Sequence, residues 1–569
     1  MRKTFSLILS AIMILSLFTV GAFAAEGTAI NSAEDFKNMA VDGTYYLAAD
    51  ITVSETYTET FTGTLDGNGK TVTVSAPMFK QMNGTVKNLT TTGKIEINST
   101  EYVSAGAVAC ESKGGIFENI TNKATITVVG ADSSKVGGIV GRLNGSTPAA
   151  KLTGCVNEAD ITSSGAVGGI AGCCYCTDTV FENCVNKGKI VNTNGSKDGY
   201  AAGGIYGYNG TGAVVVKNCY NAGDIVSPNR AGGIVGDARK SATIEFCTND
   251  GNVTLNNTTK INEDTVAGGI VGSAYDSGAT VPLTIKNCLN NGDVSAYVAG
   301  NATGIAGGIL GNAANNTKKD TNAGNPCTVE NCINNGKVSG GFEAGGLIGY
   351  VFGSNKECAI ITNSINNGDV ASACWASEFI GYTNHDGTTV KNVIGAGKLS
   401  ALTVEGKTAR LSIVNLSSAV VENYTFENVF VADGGTTVNF SFGNGDSNVK
   451  NNIPFSAVDG KDLSGAVVNY EGNDRTIGDS NVKAITRGEL NAELITKANT
   501  AVGSELFALK DGNAAFASVK IGSSLKSGTN PGGGSSTPTG DTAAYVAVAA
   551  VAAVVILGTA LVSKKRVTD

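Results

Sequence analysis

The chain has 569 residues, of which 42% are hydrophobic and 16% charged, with 76 glycines, 8 prolines and a net charge of −8. This is too rich in β-branched residues and too poor in charge for a disordered chain, and the glycines follow no G-X-Y period, which excludes collagen. The acidic balance and the lack of basic clusters in the body of the chain argue against nucleic acid as a partner. The single histidine, His385, excludes a multi-histidine zinc site.

At the N-terminus, Arg2 and Lys3 precede an apolar run from Phe5 to Val20 and the small-x-small triplet Ala22-Phe23-Ala24. The pattern predicts an export signal over residues 1–24, cut between Ala24 and Ala25. Residues 25–101 read as an N-terminal cap with the first coils of a repeat array.

From residue 102 to about 400 two phrases alternate. One is "AGGIVG" at Ala231–Gly236, with copies at Val136–Gly141, Val167–Gly172, Ala202–Gly207, Ala267–Gly272, Ala306–Gly311 and Ala344–Gly349. The other is "IKNCLNNGDVS" at Ile285–Ser295, with copies at Phe181–Val191, Val216–Val226 and Val329–Ser339. The period of 29 to 39 residues is that of a solenoid. Val281, Leu283 and Ile285 alternate as in a strand with one buried face, and each repeat holds three strand candidates too short to stand alone. Stacked, they bury a shared core. The expected fold is all-β: a right-handed parallel β-helix with three short strands per coil.

In that fold the Asn-Gly pair Asn291-Gly292 suits a turn residue with positive φ. Asn186, Asn221, Asn290 and Asn334 recur at one place and are expected to stack as an amide ladder that satisfies turn backbone groups. Cys184, Cys219, Cys288 and Cys332 precede them. Ser364 and Val393 replace the Cys in later copies, so the position reads as a small inward core site with free thiols. The cluster Cys173-Cys174-Tyr175-Cys176 lacks a fourth ligand nearby, and no metal or cofactor is expected.

These phrases resemble the GLUG-motif repeats of secreted and surface bacterial proteins, and residues 25–101 resemble the entry coils of β-helical adhesins. The resemblance implies architecture first. Some IgA-cleaving metalloproteases carry such repeats, but their zinc motif is absent here, so the peptidase activity is not carried over.

Residues 401–519 read as further strands plus one helix. Thr486 and Glu489 suggest a capping box, Leu490, Leu494 and Ile495 one apolar face, and the helix is expected to cover the open edge of the last coil. A Gly/Ser/Pro-rich linker occupies 520–541, then comes an apolar span within 542–563 long enough to cross a membrane, then the basic tail 564–569. This tail resembles a Gram-positive sorting signal. The resemblance implies a sortase as partner and Thr539–Gly540 as the cleaved bond, although the usual Leu-Pro pair is missing.

The chain therefore reads as an exported, surface-held β-helix that is not an enzyme and binds an extracellular glycan or protein. The variable loops Asn256–Val266, Tyr297–Ile305 and Ala313–Pro326 are expected to form a ridge at one corner, with Tyr275 and Tyr297 as candidate ligand contacts. Two alternatives stay open: a polysaccharide lyase or glycoside hydrolase on the same fold, and a purely structural wall or spacer protein. Asp224, Asp293 and Asp369, which alternate with Lys189 and Lys337, read as solvated corner residues.

Overall fold

The computed structural model describes residues 26–145, 149–194, 200–256, 265–274, 282–315, 327–353, 359–383, 388–416, 424–432, 439–442, 452–454, 467–470, 473–476 and 482–525. Ala24–Ala25, Thr539–Gly540 and the apolar span Ala543–Val562 lie outside these residues, as do Tyr275 and His385. Among the described residues no helix is long and apolar enough to cross a membrane.

The chain winds into a parallel β-helix. Among the described residues it forms two large sheets, of 32 and 22 strands, in which almost every pairing is parallel and joins one coil to the next. A coil holds five short strands rather than the three expected. In one coil these are Leu283–Lys286, Leu289–Asn290 and Val294–Ala296 in the large sheet, then Ile305–Gly307 and Leu310–Asn315 in the second sheet. We number the five resulting stacks ladders 1 to 5. One extra strand, Leu289–Asn290, arises because the chain bends at Asn287, ahead of the Asn291-Gly292 pair. Asn287 has φ 56°, and the same place is left-handed at Asn183, Asn218, Asn331, Asn363 and Asn392. Asn tolerates this region better than other residues with a side chain. Gly292 is not left-handed. It is glycine because a Cβ there would lie 1.9 Å from the Gly251 carbonyl oxygen of the neighbouring coil.

The two phrases interlock inside the rod. Asn290 is fully buried and donates through Nδ2 to Asn334 Oδ1 at 2.8 Å and to its own Gly292 carbonyl at 2.8 Å. The same chain of bonds runs through Asn122, Asn157, Asn186, Asn221, Asn249, Asn290, Asn334 and Asn366. Thr91 begins it by donating to Asn122. Each amide needs space, and the second glycine of the other phrase supplies it. A Cβ on Gly269 would lie 2.4 Å from Asn290 Cγ and 2.1 Å from the Gly308 carbonyl. Gly204 stands in the same relation to Asn221, and Gly308 to Asn334. The Asn ladder and the glycine pair are two halves of one contact.

Cys155, Cys184, Cys219, Cys247, Cys288 and Cys332 are fully buried beside this ladder, and the twelve described cysteines are all free. Cys288 Sγ donates to the carbonyls of Ile244 at 3.6 Å and Lys286 at 3.3 Å. Burial pushes the thiols of Cys155, Cys219, Cys247 and Cys332 well above their ordinary pKa, which keeps them protonated and inert.

The C-terminal helix spans Ala492–Val502 and is capped by Asn491, whose side chain accepts from Glu493 N and Leu494 N. Thr486 belongs to the strand Val482–Gly488, so the expected capping box does not form. Nor does the helix cover the end of the rod. Ladder 2 points one residue per coil outward, and from Leu289 onward these are Leu289, Ile333, Ile365, Ile394 and Phe430. This apolar column cannot face water, and the helix lies on it through Leu494, Ile495 and Ala498. A hairpin, Phe507–Lys510 with Asn513–Phe516, continues the cover. The chain then runs on past Lys520, where a linker was expected to begin. Gly522 N donates to the Asn287 carbonyl, Ser524 N to Asn218 Oδ1, and Leu525 packs beside Val156, Val185 and Tyr220. Residues 491–525 are thus a strap that runs back along the flank over several coils, each rising about 4.8 Å.

Candidate functional site

Beside the ladder 2 column that the strap covers, the repeat leaves three outward faces of different chemistry. On ladder 1 one column carries Glu182, Lys217, Glu245, Lys286 and Glu330, alternating in sign from coil to coil. Lys286 and Glu330 approach to 3.1 Å, and further along Lys391 and Glu427 to 3.0 Å. These pairs are partly exposed, each worth ~0.2–1 kcal/mol, and they favour one stacking register because like charges would meet in a slipped one. Ladder 3 shows small residues outward: Thr162, Val191, Val226, Thr254, Ser295 and Ser339. Neither face offers concentrated chemistry.

The outer face of the second sheet differs. Ladder 4 sets Lys135, Ala166, Ala201 and Arg230 in register, then Glu343, Trp375 and Arg410 further along. Ladder 5 sets Glu111, Arg142, Cys173, Tyr208, Asp237, Ser273 and Asn312 in register, with Tyr350 and Tyr382 beyond. The chain has eight arginines, and Arg142, Arg230, Arg239 and Arg410 all belong to this face.

The cations and rings are interleaved. Lys135 Nζ sits 5.0 Å from the Tyr208 ring centroid and 5.3 Å from that of Tyr200. The Arg142 guanidinium lies 4.7 Å from Tyr175 and 5.9 Å from Tyr102, and that of Arg239 lies 5.5 Å from Tyr208. The hydroxyls of Tyr175 and Tyr208 share a hydrogen bond. Asp237 is fully buried and accepts from Arg230 Nη1 and Arg239 Nε, both at 2.8 Å. Burial, with the guanidiniums of Arg142 and Arg239 nearby, holds the Lys135 ammonium below its ordinary pKa. Burial likewise pushes the Tyr175 hydroxyl and the Cys173 thiol up to about 12. Tyr102 is 45% exposed and opens the cluster to solvent.

A second aromatic group lies further along the same face. Trp375 stacks on Tyr382 at 5.0 Å, Tyr382 on Tyr350 at 6.0 Å, and Phe342 meets Trp375 edge-on at 4.7 Å.

The sequence-predicted site residues fall elsewhere. Asn186, Asn221, Asn290, Asn334, Cys184, Cys219, Cys288 and Cys332 are interior and serve the stack. Tyr297 is half-buried; its hydroxyl accepts from Gly300 N at 3.4 Å and donates to the Thr403 carbonyl at 3.5 Å, so it ties two loops together. Of the variable loops, Tyr297–Gly304 leads from Val294–Ala296 of ladder 3 to Ile305–Gly307 of ladder 4, and residues 257–264 and 316–326 lie outside the described residues. Asp224, Asp293 and Asp369 are exposed, and each accepts the backbone N–H of the next coil, at Asn252, Lys337 and Lys398. Among the described residues no group of three or more His, Cys, Asp or Glu is placed to hold a metal ion.

The cation and aromatic residues of the face went unread in the sequence, although a signal was present. They stand immediately before the glycine phrase (Lys135, Arg230, Glu343, Trp375) or immediately after it (Arg142, Tyr208, Asp237, Tyr350, Tyr382). Those two flanking positions point outward on ladders 4 and 5.

Comparison with protein-family models gives no match, and comparison with curated proteins gives none. Among solved structures, the chain is similar to a Bacteroides ovatus protein described as a "putative immunoglobulin A1 protease". Identity is 18% and the TM-score 0.34, with 52% of this chain and 85% of that one covered.

Proposed function

We propose that the protein is a surface-displayed, non-catalytic binding protein of the adhesin type, and that its ligand lies on the outer face of the second sheet. One observation carries this reading: on the outer face of the second sheet Arg142, Arg230, Arg239 and Arg410 lie among Tyr102, Tyr175, Tyr208, Trp375 and Tyr382, while the outward columns of ladders 1 and 3 carry self-compensating charge or small residues. A folded core has no need of that arrangement. Half-buried tyrosine faces beside polar groups suit sugar rings, which favours an extracellular glycan over a protein. The leader-like N-terminus, the apolar C-terminal span and the sorting-like Thr539–Gly540 support export and retention at the cell surface.

The test is a glycan-array screen with full-length protein, compared with the double variant Tyr102→Ala/Tyr175→Ala. Removing two stacking faces should lower binding at least tenfold, at ~1 kcal/mol or more for each ring. Undiminished binding by the variant would move the site off this face.

A further inference from the structure

Among the described residues, the cations Lys135 and Arg142 have a single carboxylate in reach, Glu111, which lies beside Arg142. Asp237 is committed to Arg230 and Arg239. Glu111 reaches Arg142 at only 3.9 Å. Lys135 has ring faces as its neighbours and, among the described residues, no carboxylate within ion-pairing distance. Arg142 Nε is buried and has no hydrogen-bond partner among the described residues.

Such an arrangement is costly. A buried ammonium without a counter-ion is disfavoured, and like charges held close disfavour it further. Tyrosine faces offset part of that cost through their quadrupoles, but they do not neutralise the charge. An incoming anion would. It would pair with Lys135, take the free Nε–H of Arg142, and leave the rings of Tyr102 and Tyr175 for the rest of the ligand. A guanidinium presents a planar fork suited to carboxylate or sulfate.

We propose that Lys135 and Arg142 form an anion-binding subsite on this face, and that its ligand is an acidic polysaccharide carrying carboxylate or sulfate groups. This rests on the assignment of the second-sheet face as the binding face and names the ligand class. A polymer fits better than a small ion because the face continues along the rod axis to Trp375 and Tyr382, several coils away. With a chain net charge of −8, attraction of a polyanion has to come from a local patch of this kind.

The experiment titrates full-length protein with polygalacturonate, heparin, neutral dextran and a DNA oligonucleotide, and repeats each titration with Lys135→Met and Arg142→Gln. The expected result is binding of polygalacturonate or heparin at least tenfold tighter than dextran or DNA, weakened tenfold or more by either substitution. Lys135→Met should keep or raise the melting temperature, because it removes a buried charge, so lost binding will not reflect unfolding. If the charge variants bind the acidic polymers as wild type does, the anion subsite is wrong. If DNA binds as well as the glycans, the patch is nonspecific charge and the proposal falls. Tight binding of dextran that is lost in Tyr102→Ala/Tyr175→Ala but kept in the charge variants would retain the face and reject the anion. Binding of no polymer, together with no glycan-array signal, would reject both.

Discussion

The interior edge where the Asn ladder meets the glycine pair, and the outer face of the second sheet, are built from the same coils under opposite constraints. At the interior edge each residue touches its own copy in the coils above and below. A change in one coil therefore disturbs two interfaces, and the phrase is kept: Asn at one position, glycine opposite, Cys beside them. On the outer face a side chain meets its stack neighbours only laterally. Lysine, alanine, arginine, valine, isoleucine, glutamate and tryptophan all succeed one another on ladder 4. Repetition in this chain marks where the stack is closed, and variation marks where it is free to carry chemistry.

The strongest way to break this comparison is at Gly269. Its added Cβ would meet backbone of the neighbouring coil and the Asn290 amide, neither of which can move without shifting a coil. Gly269→Val is expected to destabilise by ~3 kcal/mol, the upper end for overpacking. Ser295→Thr, on the outer face of ladder 3, should change stability by less than ~0.5 kcal/mol. Urea-unfolding midpoints of the two variants check this; similar shifts would show that the interior edge is no more constrained than the surface.

A finer test uses the one coil where the lock is inverted. In register with Gly346 stands Glu378, and in register with Asn366 stands Gly395. The long side chain now comes from the other strand. Glu378 is buried, accepts from Asn366 Nδ2 at 3.0 Å, and closes the ladder. Burial raises its pKa to about 8, whereas an unfolded chain has a glutamate near ~4.3. Between these values the unfolded state releases a proton that the folded state keeps. Stability should therefore fall as pH rises from about 4.3 to 8, by up to ~1.4 kcal/mol per pH unit, and level off above. Glu378→Gln should remove that slope, so thermal unfolding of both proteins across pH 4–9 is the measurement. A slope retained in the variant would assign it to other groups.

The smallest expected effect is on the charged column of ladder 1. Glu245→Lys would set three lysines in succession, with Lys217 and Lys286. The expected loss is ~0.5–1 kcal/mol at low salt, shrinking as salt screens it. A loss that does not respond to salt would mean the column acts through packing and not through charge.

How much was legible obeys the same division. The repeat phrases showed the stacking, the inward Cys and the recurring Asn, because a period in sequence becomes a column in space. The alternation of Glu and Lys was also on view in "FENC", "VKNC", "IKNC" and "VENC", but its meaning needs the register that pairs those residues. The split of each coil into five strands was hidden, since a left-handed Asn287 and an ordinary Asn have the same letter. The helix was legible as an amphipathic segment through Leu490, Leu494 and Ile495. Its seat was not, because the apolar column it covers is assembled from residues 29 to 44 positions apart.

By itself the sequence determined the parallel coil, the interior amide ladder and the free thiol stack. These rest on contacts between equivalent residues, and equivalence is visible as repetition. Only the tertiary structure decided that the C-terminal segment straps the flank, and that Lys135, Arg142, Tyr102, Tyr175 and Tyr208 converge on one face. Those contacts join residues with no common pattern, and winding the chain into coils is what brings them within a few ångströms of each other.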